Sequence, residues 1–403
     1  MFPAVAVTIV VMTRCLTGLD RLFDDGIARF RGLRVGLIAN PASVDRGLVH
    51  AVERFARCPD WRLTAVFGPQ HGARADRQDN MIESPDEIDP RLGIPVYSLY
   101  SETRKPLPAM LQDVDVLFCD LFDIGARPYT FLWTAILAMQ SCAENQKRFV
   151  VLDRPNPIGG NLLEGPVLNM AWRSFIGLYP IPMRHGLTIG ELAAYVNSEF
   201  GIGADLEVVP AANWHRGQWL DDTDLPWVMP SPNMPTLSTA AVYPGTVLVE
   251  GTNLSEGRGT TRPFELIGAP FLDADRMAAA LNALKLPGAH FRPVWFRPTF
   301  DKWCGQLCGG VQVHVTGRSR FQPFRTGLAI LRAAIQLAPG QFAWRQPPFE
   351  YEYEKLPIDI LAGTDRVRRC LDEGAPLDSI EAEWQADLLS FQNTRARCLL
   401  YRS

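Results

Sequence analysis

The chain reads as an α/β protein, with a parallel sheet in its N-terminal domain and a smaller α+β domain after it. Three observations point there. Apolar, β-like runs alternate with helical patterns through the first half, as in a parallel sheet covered by helices on both faces. At 403 residues the chain exceeds what one hydrophobic core usually supports. The stretch WVMPSPNMP, Trp227 to Pro235, is too rich in proline to continue a helix or a strand, so it reads as a crossing between domains of residues 1–232 and 233–403.

The first domain predicts strands at Leu33–Ala39, Arg62–Phe67, Ile94–Tyr100, Asp115–Leu121 and Arg148–Leu152. Helical spacing falls between them at Leu48–Arg57, Pro108–Gln112 and Thr130–Gln146. Thr188 and Glu191 fit a T-x-x-E capping box and start a helix to Phe200, and the strand Leu206–Val209 follows. The second domain predicts strands near Val242–Glu250, Val294–Arg297 and Val311–Val315. Its helices are expected at Asp273–Leu284, Pro323–Leu337, Asp365–Glu373 and Ser379–Leu400. Phe2 to Met12 is apolar but lacks a basic leader and a cleavage site and is too short to span a bilayer, so it reads as an edge strand or a mis-assigned start.

Composition narrows the function. A net charge of −4 leaves no basic surplus for a phosphate backbone, which argues against nucleic acid, and no segment calls for a membrane. The eight cysteines are scattered, as thiols in a reducing compartment would be, which favours the cytoplasm over an exported location. Cys304 and Cys308 have no second pair beside them and are expected as two core thiols rather than metal ligands. Oligomeric state has no signature here.

In an open α/β sheet, ligands bind beyond the carboxyl ends of the strands. Those ends are unusually polar: Asn40, then GPQHG (Gly68 to Gly72), Ser101 and Glu102, DLFDIGARPYT (Asp120 to Thr130), and DRPNP (Asp153 to Pro157). No G-x-G-x-x-G follows the first strand, no phosphate-binding G-x-x-x-x-G-K-[ST] occurs, and no G-x-S-x-G marks a nucleophile elbow. His71, Asp76 and Asp79 offer metal-ligand chemistry, but no paired-histidine spacing supports it, and no metal or other cofactor is expected. What remains abundant is carboxylate and arginine. Glu83, Asp120, Asp123, Asp153, Glu164, Glu250 and Glu256 suit glycoside hydrolysis, which needs one group to protonate the leaving oxygen and another to stabilise or attack the sugar or activate water. Arg127, Arg154, Arg258 and Arg262 suit an anionic substrate, or else internal ion pairs. Tyr100, Tyr129, Trp214, Trp219, Trp227 and Tyr243 are candidates to stack on sugar faces.

The motifs VFGPQHG, DLFDIGARPYTF, VLDRPNPIGG, PIPMRHGLTIGELA, WVMPSPNMPT and EGTNLSEGRGTTRPFE, in that order, resemble the bacterial exo-acting β-N-acetylmuramidases of the NamZ type, from about Leu16 to the C-terminus. The resemblance implies a cleft between a Rossmann-like domain and a smaller one, and metal-free release of N-acetylmuramic acid from the non-reducing end of peptidoglycan fragments. Many members read PEHG where this chain reads PQHG, and that glutamate is a leading candidate for the catalytic acid. Gln70 cannot donate a proton as an acid does.

The resulting expectation assigns general acid/base work to Glu83, kept protonated by burial, with Asp120 or Asp123 placing water or stabilising the oxocarbenium-like state. His71 would orient or polarise, Gln70 would hydrogen-bond the 2-acetamido group or the leaving oxygen, and Arg127, Arg154 and Arg258 would hold the substrate's acid group. Asn40, Tyr129, Asp153, Asn156, Asn233, Glu250, Asn253 and Glu256 complete the expected saccharide or muropeptide site. Two alternatives stand beside it: a protein that binds muropeptides without cleaving them, and a metal-dependent hydrolase of another substrate.

Overall fold

The computed structural model describes residues 14–72, 74, 83 and 85–403. Phe2 to Met12, Asp76 and Asp79 lie outside the described residues. The strands are β1 Arg34–Ala39, β2 Arg62–Gly68, β3 Glu87–Ile88, β4 Pro95–Ser98, β5 Val116–Asp120, β6 Arg148–Leu152, β7 Glu164–Val167, β8 Pro182–Arg184, β9 Leu206–Val209, β10 Leu266–Ala269, β11 Ala289–Phe296 and β12 Cys308–Val315. Seven of them form one sheet in the order β3-β4-β2-β1-β5-β6-β9. Its pairs are parallel from β4 to β9, and only β3 at the edge runs antiparallel. Counted along the chain without the edge strand, the order is that of a doubly wound dinucleotide-type sheet, whose direction of winding reverses between β1 and β5.

β1, β2, β5 and β6 are buried along nearly their whole length, which explains why they appear in the sequence as apolar runs rather than as alternating patterns. The helix Phe131–Glu144 covers one face, with Trp133 and Met139 fully buried. The helix Ile189–Glu199 starts at the expected capping box: the Thr188 hydroxyl accepts the Glu191 N–H, and the Glu191 carboxylate accepts the Thr188 N–H.

A separate antiparallel sheet, β10-β12-β11, belongs to the C-terminal part, and β7 and β8 form a two-stranded antiparallel sheet of their own. One expected strand is a helix instead. Residues Val242–Glu250 fall in the helix Leu237–Thr246 and the 3-10 turn Val247–Gly251, with Thr236 as the N-cap. The whole run from Thr239 to Gly251 is buried, so burial on every side favoured the apolar β-branched residues that look like a strand. The expected helix Ser379–Leu400 is broken at Glu383 and Trp384 into Leu377–Ala382 and Gln385–Arg395.

The two parts share a continuous core that runs from Trp133 and Leu178 to Phe264 and Phe324. The C-terminus then returns to the first part: Tyr401 donates its hydroxyl to Asp153 at 2.6 Å, and the Leu400 N–H reaches Glu191 at 2.9 Å. The eight cysteines are unpaired. Cys308 is buried, but Cys304 is exposed on a turn and bonds Thr299 O, so it is not the core thiol expected from its spacing. Among the described residues no helix is long and apolar enough to cross a membrane.

Candidate active site

Just beyond the end of β2, Gln70 and His71 close one side of a small cavity. Tyr129 and Thr130, where the loop after β5 enters its helix, and Ser231 and Asn233 in the proline-rich crossing supply further walls. The C-terminal part brings Tyr243, Glu250, Arg258, Phe264, Phe349, Glu350 and Leu361. The cavity therefore belongs to both parts of the chain.

Its polar groups are tied together. The Tyr129 hydroxyl donates to Ser231 Oγ at 2.8 Å, and the Thr130 hydroxyl donates to Gln70 Oε1 at 2.5 Å. Glu250 accepts from Arg258 at 2.5 Å, and Arg258 also lies 3.2 Å from Glu256, which Lys302 approaches at 2.9 Å. Burial works against the Arg258 charge, but the carboxylates of Glu250 and Glu256 outweigh it and leave its pKa raised. Burial likewise disfavours the Glu256 carboxylate, and Lys302 and Arg258 overcome it, so its pKa is lowered.

Glu350 was not anticipated. It is buried in the cavity wall, accepts the Tyr100 hydroxyl at 2.8 Å, and is also hydrogen-bonded by Gln70. Burial raises its pKa first, and the negative charge of Glu250 adds to that. In the sequence it is one carboxylate among several in PPFEYEYEK, with no turn or spacing signal to single it out.

Of the expected residues, Gln70, His71, Tyr129, Asn233, Glu250 and Arg258 line this cavity, and Glu256 stands behind Arg258. Arg127 lies behind the wall at Leu361, to whose carbonyl it donates at 2.9 Å, and burial lowers its pKa to about 9. Asp123 is partly buried, accepts the Gly125 N–H at 2.7 Å, and sits 3.5 Å from Nε2 of the buried His185.

Others are placed elsewhere. Asp120 and Arg154 form a buried bidentate pair at 2.6 and 2.8 Å, so the carboxylate is committed to a guanidinium rather than to water, and the guanidinium to Asp120 rather than to substrate. Asp153 accepts from Thr188, Gly190 and Tyr401, which makes it a joint between β6, a helix start and the C-terminus. Asn40 bonds Phe122 O and Ser43, Asn156 bonds Leu187 O, and Asn253 pairs with Gln341 and Ala343. Glu83 is exposed, 3.4 Å from the Tyr351 hydroxyl, and is absent from the cavity wall. The burial that its expected role as acid required is not present.

Comparison with known proteins decides the family. Residues 35–238 match the model for the N-terminal part of the exo-beta-N-acetylmuramidase NamZ, and residues 241–401 match the model for its C-terminal part. The chain belongs to the NamZ family. It is 47% identical over 385 residues to the peptidoglycan beta-N-acetylmuramidase NamZ of Bacillus subtilis, covering 96% of this chain and 91% of that protein. Two crystal structures of DUF1343 family proteins from Bacteroides fragilis share the fold. One matches with a TM-score of 0.87 at 33% identity over 96% of this chain and 99% of the other, the second with 0.73 at 28% over 97% and 100%. The junction between the two NamZ models, near residue 240, runs through the cavity, with Ser231 and Asn233 on one side and Tyr243 and Glu250 on the other.

Proposed function

We propose that this chain is a glycosidase that releases N-acetylmuramic acid from the non-reducing end of peptidoglycan fragments during cell-wall turnover. The observation that carries the reading is a cavity shared by both NamZ parts and lined by two carboxylates in contrasting surroundings, Glu250 against a guanidinium and Glu350 among apolar and hydroxyl groups. Glycoside hydrolysis needs that contrast, one carboxyl able to give a proton and one carboxylate able to stabilise positive charge or accept a proton from water. The likeness to the B. subtilis enzyme supplies the substrate class. Asn233 offers an amide to the sugar. All eight cysteines are free and five are buried, which supports a reducing, cytoplasmic setting in which imported fragments are cleaved.

The deciding experiment is an assay of the purified chain on aryl β-N-acetylmuramides and β-N-acetylglucosaminides, with and without chelator. Release of the aryl alcohol from the muramide alone, unchanged by chelator, is the expected result. Binding without release, or activity that disappears with chelator, contradicts it.

A further inference from the structure

Phe349 and Glu352 exchange both backbone hydrogen bonds at 2.9 Å, which closes a two-residue hairpin turn around Glu350 and Tyr351. Both central residues have positive φ, 47° and 64°. A two-residue turn of that kind favours Asn and Gly, so a glutamate and a tyrosine there cost conformational energy that the surrounding structure must hold in place. The strained turn sets the Glu350 side chain into the cavity, with a hydroxyl donor on one side and an amide on the other. Thr130 fixes the orientation of that amide. Because Gln70 Oε1 accepts from the Thr130 hydroxyl at 2.5 Å, the amide N–H is left to face the Glu350 carboxyl. Tyr100 is steadied in turn by the Arg104 guanidinium, 4.2 Å from its ring centre.

We propose that Glu350 is the proton donor of the reaction, seated by Tyr100 and Gln70 as positioning residues. This rests on the glycosidase reading above. In the step, the bond between the anomeric carbon and the glycosidic oxygen breaks with its electron pair moving to the oxygen. That oxygen takes the Glu350 proton and leaves as a hydroxyl group. Water adds its hydroxyl to the anomeric carbon, and its remaining proton returns to the Glu350 carboxylate, so the enzyme is restored. The burial that favours the protonated carboxyl, reinforced by the charge of Glu250, suits this role, and the two hydrogen bonds that oppose it do not cancel it.

The experiment uses two aryl β-N-acetylmuramides, one with a dinitrophenyl leaving group that needs no proton and one with an unactivated phenyl group that does. Glu350→Gln is expected to lower kcat/KM on the phenyl substrate by about 10^2–10^4-fold and on the dinitrophenyl substrate by less than about 10-fold. It should also abolish the fall of the wild-type rate at high pH. Equal losses on both substrates in a variant with wild-type circular dichroism, or persistence of that fall, overturns the assignment. Should Glu350→Gln fail to fold, Tyr100→Phe decides. Removing a hydrogen bond to the carboxylate raises the pKa of Glu350, so the high-pH limb moves upward, and an unmoved limb overturns the proposal. A wild-type chain inactive on both substrates instead overturns the glycosidase reading itself, and the proposal with it.

Discussion

Glu83 and Glu350 are both close to Tyr351, the first 3.4 Å from its hydroxyl and the second its neighbour in the chain, yet only Glu350 is sheltered from water. Burial favours the protonated form of the Glu350 carboxyl, and Glu83 lies outside the cavity where that proton would be given. Glu83→Gln is therefore expected to change kcat/KM by less than about 10-fold, well short of the roughly 10^2–10^4-fold typical of losing an acid catalyst. Aryl-muramidase kinetics measure it, and a loss of several orders of magnitude would restore Glu83 as the acid. The sequence made Glu83 attractive because it follows the PQHG motif closely, and it concealed Glu350 because the contact with Tyr100 spans 250 positions. Six of the expected side chains do meet in the cavity, since strand ends and loop motifs show in sequence. The ion pair of Asp120 with Arg154 was not legible, because acid and base near one strand edge look the same whether they hold each other or a substrate.

At the level of elements, Asp153 joins β6 to the helix Ile189–Glu199 and to Tyr401 through three hydrogen bonds. Burial raises its pKa to about 6, and the bonds from Thr188 and Tyr401 only partly offset this. The native state therefore holds this proton more tightly than the unfolded chain, whose carboxyl keeps its ordinary pKa of about 3.9. The stability contributed is complete below the unfolded pKa and declines as pH rises through about 6, by about 1.4 kcal/mol per pH unit within that window. Urea unfolding of wild type and Asp153→Asn should show the wild-type advantage shrinking between about pH 4 and 7, and a constant difference would contradict the linkage.

A second joint depends on shape alone. Helices Leu237–Thr246 and Pro323–Leu337 cross at Gly245 and Gly327, where a Cβ on Gly245 would lie 1.7 Å from Pro323 O. Gly245→Ala is expected to cost about 1–3 kcal/mol or more, read as a lowered Tm, because backbone rather than a movable side chain blocks the methyl. The parallel strands β1, β2, β5 and β6 were legible because each is buried on both faces. The first of these two helices was not, because its apolar run is enclosed on all sides and carries Pro244, which reads as a breaker.

Across the whole molecule, the cavity needs both NamZ parts, and the C-terminal residues close back on the first. Arg395 donates to the carbonyls of Gly160, His185 and Gly186, and the Arg216 N–H meets the Arg402 carbonyl. Residues 1–238 and 241–403 expressed separately are therefore expected to show no turnover, and each should expose part of the shared core, visible as dye binding and loss of a cooperative melt. Turnover by residues 1–238 alone would show that the cavity is not the site. The most direct measurement of where the sugar is cleaved is a crystal structure of Glu350→Gln with a muramic-acid-containing disaccharide. The glycosidic oxygen is expected within hydrogen-bond reach of residue 350 and beside Asn233. Sugar bound instead against Asp120 and Arg154, with the cavity empty, would contradict the assignment of this cavity as the active site.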